Sequence, residues 1–138
     1  MKKAFFLFFI GFFLISCSSN NDDASASPFN PPSWIQGTWG EKANVANGQA
    51  ENPIYRFTND NICQIITSSY TNCWKESIQQ DVTKTLSGND TKTDDTYTVR
   101  FISGGGATTL TLSFKKVSST RILWINTGNG DFPLDKLN

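Results

Sequence analysis

Thr109-Leu110-Thr111-Leu112-Ser113-Phe114 is the stretch that decides the fold. Apolar and small polar side chains alternate along it, which is the period of a β-strand with one face buried and the other in water. Tyr55-Arg56-Phe57-Thr58 and Tyr97-Thr98-Val99-Arg100-Phe101 repeat the pattern, and no segment sustains the 3.6-residue period of a helix. The sequence therefore predicts an all-β domain.

Clusters of glycine, asparagine and aspartate interrupt these segments at short intervals, as at 59–61, 88–90, 104–106 and 128–130. Connections this short make consecutive strands pair antiparallel. A small up-and-down β-barrel of about eight strands is the favoured architecture because closure removes both sheet edges, and a two-sheet β-sandwich is the alternative. The predicted strands are 36–43, 53–58, 61–67, 70–78, 81–87, 95–103, 107–116 and 120–126, followed by a short return from Phe132 to Leu137.

The amino terminus has the pattern of an export signal. Two lysines precede an apolar run of 12 residues, 4–15, which is shorter than a bilayer-spanning helix and leads into Leu14-Ile15-Ser16-Cys17. This stretch resembles the lipobox of bacterial lipoproteins, whereas the alternative is an ordinary signal peptide with an incidental cysteine. The resemblance implies a signal peptide over 1–16, lipid on Cys17 and, because Ser18 follows the cysteine, an outer-membrane location.

A polar tether is predicted to follow the lipid. Residues 17–33 consist of small, polar and proline residues with a single Phe29, a composition that cannot bury enough apolar surface to become ordered. Asp22-Asp23 resembles an acidic tag for export to the cell surface, although two aspartates could equally serve to solubilise the tether. One domain is then expected over 34–138.

The charge balance excludes one class of partner. Without Lys2 and Lys3 the chain keeps 10 basic and 12 acidic residues, and its densest basic cluster is Lys115-Lys116. Nucleic-acid binding needs a concentrated basic face, so no nucleic-acid partner is expected.

The two remaining cysteines are expected to have a structural role. A hairpin centred on Ser68 would place Cys63 and Cys73 opposite each other on neighbouring strands, and an oxidising compartment would then favour a disulfide. The alternative is a pair of buried free thiols that act as small apolar side chains.

The start of the domain, Trp34-Ile35-Gln36-Gly37-Thr38-Trp39, resembles the opening of lipocalin-like folds. Two later segments, 55–62 and 114–123, are similar to parts of the short lipocalin-like domains of bacterial surface lipoproteins. The resemblance implies that Gly37 and Trp39 begin the first strand, that Trp39 closes one end of the barrel, and that Arg121 stacks on Trp39. A sequence suited to the helix that flanks the barrel of longer lipocalins is missing.

Groups for catalysis or metal binding are scarce. The chain has no histidine, which excludes histidine-dependent triads and histidine metal sites. Asp90, Asp94 and Asp95 are expected in a solvated hairpin loop, since their spacing fits no calcium-binding pattern. Gly104-Gly105-Gly106 lacks the continuation of a phosphate-binding loop and predicts a turn. No catalytic residue, metal or cofactor is therefore expected.

Two further features concern apolar surface. Trp39 is expected at the barrel end, and the other tryptophans, Trp34, Trp74 and Trp124, are expected in the core, although exposed aromatics could also bind a ligand. Residues 122–125 are apolar on both faces, so the return at 132–134 or a partner is expected to cover the outer face.

Three functions are left open. The first is a lipid-anchored binding protein that holds a small apolar ligand in the barrel or at its mouth. The second is a non-enzymatic protein-interaction module, such as a surface-complex component or an enzyme inhibitor, with a barrel filled by side chains. The third and least favoured is a carboxylate-based hydrolase. A cavity would favour the first, and a filled interior with an exposed apolar patch would favour the second.

Overall fold

The computed structural model describes residues 26–125 and 128–138. The predicted signal peptide, the predicted lipidation site at Cys17 and residues 17–25 of the predicted tether lie outside these residues. Within them the chain forms nine strands and one short α-helix. The elements are β1 Gly37–Glu41, β2 Asn52–Phe57, β3 Ile62–Thr67, β4 Tyr70–Cys73, α1 Trp74–Gln80, β5 Ser87–Lys92, β6 Thr96–Ser103, β7 Thr108–Lys116, β8 Arg121–Ile125 and β9 Phe132–Leu137.

All nine strands belong to one antiparallel sheet in the order β4-β3-β2-β1-β9-β8-β7-β6-β5. This is the order of an up-and-down barrel, with β9 pairing to β1, and the sheet curls into a half-barrel. Among the described residues β4 and β5 share no ladder hydrogen bonds, so the cylinder has one open seam. The predicted all-β antiparallel architecture is confirmed, and a single sheet replaces the two-sheet alternative.

Large side chains fill the concave side of the sheet. The alternating residues of β6 and β7 contribute Tyr97, Val99 and Phe114, each with no exposed surface. Tyr55 and Phe57 of β2 meet Phe114 edge to face, with ring centroids 5.3 and 5.1 Å apart. The other wholly buried side chains include Ile35, Trp39, Ile62, Ile122 and Leu134. The interior is therefore a packed core.

The prediction was wrong at the seam. Strand 70–78 ends at Cys73 and continues as α1, and residues 81–86 form a loop where strand 81–87 was expected. The fifth strand is Ser87–Lys92, so Asp90 lies in a strand and only Asp94 and Asp95 lie in the solvated turn. The return 132–137 covers no face of β8, because it joins the sheet as β9 between β8 and β1.

The packed domain also begins earlier than Trp34. Phe29 is 2% exposed and belongs to the main core cluster, and Pro31 is fully buried. The flexible tether predicted to extend to Ser33 is therefore wrong over its last residues, because its single aromatic side chain has an apolar site to occupy.

Candidate functional site

The seam between β4 and β5 is covered by α1, whose first residue reaches across it. Trp74 stacks on Phe101 of β6 with a centroid distance of 3.8 Å and an interplanar angle of 15°. No residue of α1 is fully buried, so the helix lies over the seam as a shallow cover. The two rings form the floor of a cleft at the mouth of the half-barrel.

The cleft is apolar and small. Its volume is about 50 Å³, enough for one or two water molecules and far less than the interior of a ligand carrier. Leu110 on its rim is 43% exposed, although it continues the inward row of Leu112 and Phe114. The complete lining is Trp74, Ile78, Leu86, Ser87, Phe101, Ile102, Ser103, Thr108 and Leu110.

Polar contacts hold α1 in place at its amino-terminal end. The side chain of Asn61, 6% exposed, accepts a hydrogen bond from the Lys75 amide at 3.0 Å and donates one to Glu76 Oε2 at 2.6 Å. Lys75 also pairs with Asp60, and this ion pair lowers the pKa of the Asp60 carboxyl. The disulfide at Cys73 holds the residue that precedes the helix. These contacts fix the position of Trp74.

The loop after α1 is organised by Asp81. Its carboxylate accepts hydrogen bonds from the amides of Thr83 at 3.0 Å and Leu86 at 2.6 Å and from the Thr83 hydroxyl. These bonds, with the Thr83 hydroxyl contributing most, lower the pKa of Asp81 to about 2. The bond to the Leu86 amide holds that residue at the wall of the cleft.

Phe29 occupies the inner side of the same wall. Its ring meets Phe101 edge to face at 5.5 Å, so Phe101 separates it from the cleft. A Cβ on Gly88 would lie 2.6 Å from Phe29 Cζ, which means that only glycine leaves room for the ring. The adjacent backbone is held at β5, where the Asn30 amide donates to Asp90 Oδ2 at 2.6 Å and Lys92 Nζ donates to the Asn30 carbonyl at 2.9 Å.

Asp90 has a second partner inside the half-barrel. The hydroxyl of Tyr97 donates to Asp90 Oδ2 at 2.8 Å. Burial, together with the neighbouring Asp90 carboxylate, raises the pKa of Tyr97 above its ordinary range. Tyr97 is therefore a fixed donor that positions Asp90 toward the segment carrying Phe29.

A second, more polar groove lies where β2 and β3 diverge. The two strands pair from Tyr55↔Gln64 to Phe57↔Ile62, and no pairing is present between Pro53 and Ile66. Pro53 pairs on its other side with Gly40 of β1, next to a register shift in that ladder. The groove has a volume of about 250 Å³, and Ile66 at its edge is 54% exposed.

The sequence-predicted structural residues have mixed outcomes. Cys63 and Cys73 lie opposite each other in the β3–β4 ladder and form the expected disulfide. Trp39 is fully buried, and its Nε1 donates to the Ile35 carbonyl at 2.5 Å. The predicted stacking of Arg121 on Trp39 was wrong, because Arg121 is bound to Asp135 instead.

Lys136 provides the cation at that ring, with Nζ 5.5 Å from the Trp39 centroid. Gly37 is required beneath it, since its φ is +126° and a Cβ would lie 2.7 Å from Lys136 Cε. Arg121 and Asp135 form an exposed bidentate pair in which hydrogen bonding and charge lower the pKa of Asp135. A cation therefore lies over the Trp39 ring, but it is Lys136 and not Arg121.

Sequence reasoning did not identify Phe29, Ile78 or Leu86 as residues of a site. Phe29 carried one signal, since it is the single aromatic residue in a long polar segment. Ile78 and Leu86 carried no such signal, because they fall in segments 70–78 and 81–87, which were both predicted to be strands. Trp34 and Trp74, expected in the core, pack against it partly buried, and their Nε1 atoms have no hydrogen-bond partner in the described part of the chain.

The described residues contain no cluster of three or more Cys, Asp or Glu side chains suited to a metal ion. Asp90 is engaged by Tyr97 and Asn30, whereas Asp94 and Asp95 lie in an exposed turn. The three carboxylates therefore do not face one another across a substrate cleft.

No protein-family model matches the chain, and searches of curated proteins and of solved structures also find no match. Across residues 26–125 and 128–138, no helix has both the length and the apolar character needed to cross a bilayer.

Proposed function

We propose that this protein is a non-enzymatic, lipid-anchored binding protein of the bacterial outer membrane that takes a small apolar group at the mouth of its half-barrel. The cleft of Trp74, Phe101 and Leu110 is the single observation that carries the proposal, because apolar surface is left open there and the rest of the interior is filled. Lipid on Cys17 would provide the anchor, in keeping with the lipobox-like sequence and the resemblance to lipocalin-like lipoproteins.

The small volume limits the ligand. A cleft of about 50 Å³ cannot enclose a fatty acid or a haem-sized molecule, and such ligands need several hundred Å³. The cleft can take a ring or a short branched chain that lies against the stacked rings of Trp74 and Phe101. The remainder of the ligand would then lie in solvent.

The proposal can be tested with mature Cys17→Ser protein purified without detergent from an oxidising compartment. We expect saturable binding of the neutral apolar dye N-phenylnaphthylamine. Leu110→Gln should weaken the binding about tenfold, a loss of about 1.4 kcal/mol. Val117→Gln is the matched control, since Val117 is 54% exposed in the segment between β7 and β8 and does not line the cleft. Absence of saturable binding, or equal losses in both variants, would contradict the proposal.

A second candidate is a protein-interaction module, which the filled interior favours. Ile66 and Tyr70 are 54% and 57% exposed on the β3–β4 hairpin beside the larger groove. A photo-crosslinking residue at Ile66 should then give one discrete product on intact cells. The same residue at Val82, which is 91% exposed in the loop after α1, is the control. Equal labelling from both positions would argue against this candidate.

A further inference from the structure

Phe29 lies in an apolar site that reaches the mouth cleft through one shared residue. Its ring is 2% exposed and meets Phe101 edge to face, and Phe101 also stacks on Trp74 of the cleft. Gly88 provides the space for the ring, because a Cβ at that position would lie 2.6 Å from Phe29 Cζ and force a shift. The site therefore accommodates an aromatic ring, and the chain itself supplies one.

The segment that carries this ring is attached to the sheet by a small number of polar contacts. Asn30 is bound to Asp90 and Lys92 of β5, and Ser27 donates from its hydroxyl to the Asp60 carbonyl. Residues 26–33 belong to no strand of the sheet. Displacing Phe29 therefore breaks side-chain contacts and leaves every strand ladder intact.

We propose that Phe29 is an internal plug of the ligand site, and that an aromatic ring of the ligand displaces it. The inference rests on the proposed function, since it extends the mouth cleft inward past Phe101. A ligand with two ring-sized groups would place one against Trp74 and the other in the position of Phe29. Binding would then release the segment that leads back to Cys17, so that ligand occupancy and the seating of this segment exclude each other.

Competition between the plug and the ligand gives a quantitative expectation. The apparent association constant is the intrinsic constant multiplied by the fraction of molecules in which Phe29 has left its site. Removing the phenyl ring raises that fraction to one. Phe29→Ala should therefore bind N-phenylnaphthylamine at least tenfold more tightly than the parent Cys17→Ser protein. Gly88→Ala is the second variant. Its Cβ would lie 2.6 Å from Phe29 Cζ, so the ring must shift while Phe29 stays in the chain, and this variant should also bind the dye more tightly.

A cavity made by mutation can bind aromatic molecules by chance, so the decisive measurement uses the unsubstituted site. The Asn30 amide is hydrogen-bonded to Asp90 and reports the seated segment. Saturating dye should increase its hydrogen exchange at least tenfold. The Lys116 amide donates to the Asp95 carbonyl at the end of β7 away from the cleft, and its exchange should remain unchanged as the control.

The two proposals fail in different ways. If the dye binds the parent protein and Phe29→Ala equally, with Asn30 exchange unchanged, the plug is wrong and the mouth site stands. If none of the three proteins binds the dye saturably, the mouth site itself is wrong. Tighter binding by both variants together with faster Asn30 exchange supports the plug.

Discussion

The ammonium group of Lys136 lies over the ring of Trp39, 5.5 Å from its centroid, and passes above Gly37 to reach it. Three residues from two neighbouring strands therefore form one unit in which the glycine gives room, the lysine covers the ring and the tryptophan fills the core. Because β1 and β9 are the strands that join the two halves of the sheet, this unit stabilises the centre of the fold.

Lys136→Ala is expected to reduce the free energy of unfolding by about 0.5–1 kcal/mol, the usual contribution of a cation–π contact at a partly exposed site. The change should also alter the near-ultraviolet circular dichroism of Trp39. Arg121→Ala is the matched control, because this cation pairs with Asp135 and should leave the tryptophan signal unchanged. Denaturant unfolding checks both variants, and a larger tryptophan change in Arg121→Ala would contradict the assignment.

Gly37→Ala is expected to be more damaging, since alanine is strained at a φ of +126° and its Cβ would meet Lys136 Cε. The expected loss is about 1–3 kcal/mol. In the double variant Gly37→Ala/Lys136→Ala the contact between the new Cβ and Lys136 Cε is absent. The loss in free energy of unfolding should therefore be smaller than the sum of the losses in the two single variants. Strict additivity in denaturant unfolding would show that only backbone strain matters.

The disulfide should contribute measurably to stability. Cys63 and Cys73 are 10 positions apart, and on the chain-entropy model a loop of this size gives about 2.5–3 kcal/mol. Replacing both cysteines with alanine should lower the free energy of unfolding by that amount, as measured by urea denaturation. The same measurement on reduced wild-type protein is the control, and no difference between oxidised and reduced protein would contradict the prediction.

Alkaline pH should destabilise the core through its tyrosines. Burial raises the pKa of Tyr55 from 10.0 to about 12, so the folded state keeps a proton that the unfolded state releases. This stabilisation is complete below pH 10 and is lost as the pH rises toward about 12. Each such tyrosine should lower the free energy of unfolding by about 1.4 kcal/mol per pH unit in that range. Tyr55→Phe should reduce this slope, as measured by urea denaturation between pH 10 and about 12.

Acid should loosen the loop that borders the cleft. The folded-state pKa of Asp81 is about 2, below its ordinary 3.8, so its contribution is present above that ordinary value and is lost as the pH falls toward 2. Hydrogen exchange at the Leu86 amide should increase over this interval, after correction for the intrinsic rate. Asp81→Asn should show the faster exchange already at neutral pH. Asp94→Asn, in the exposed β5–β6 turn, is the control and should exchange like the wild type.

The strands that sequence predicted well are those whose side chains alternate. β6 and β7 were predicted within one residue of their observed bounds, because the inward row of aromatic and aliphatic residues specifies both period and register. The hairpin at Ser68 was also predictable, since the two cysteines fix its register. The same alternation identified which side chains face the interior, but it left open whether they fill it.

The seam could not be predicted from local sequence. α1 has seven residues, too few to be stable alone, and it is held by Asn61 and by the disulfide at Cys73. β5, Ser-Gly-Asn-Asp-Thr-Lys, has the composition of a turn and becomes a strand through pairing with β6. One wall of the cleft is formed by Ile78 of α1 and by Leu86 and Ser87 at the start of β5. These lining residues were therefore missed together with the two elements.

The central position of β1 and β9 has a consequence for the order of folding. Thr38 pairs with Leu137, so the ladder at the middle of the sheet joins residues nearly a whole domain apart in the chain. Without that ladder the sheet divides into two meanders, β1–β4 and β5–β9, in which every pair of neighbouring strands is also consecutive in the chain. Closing so long a loop costs conformational entropy before any contact is gained, so this pairing is expected to be a late and slow step of folding.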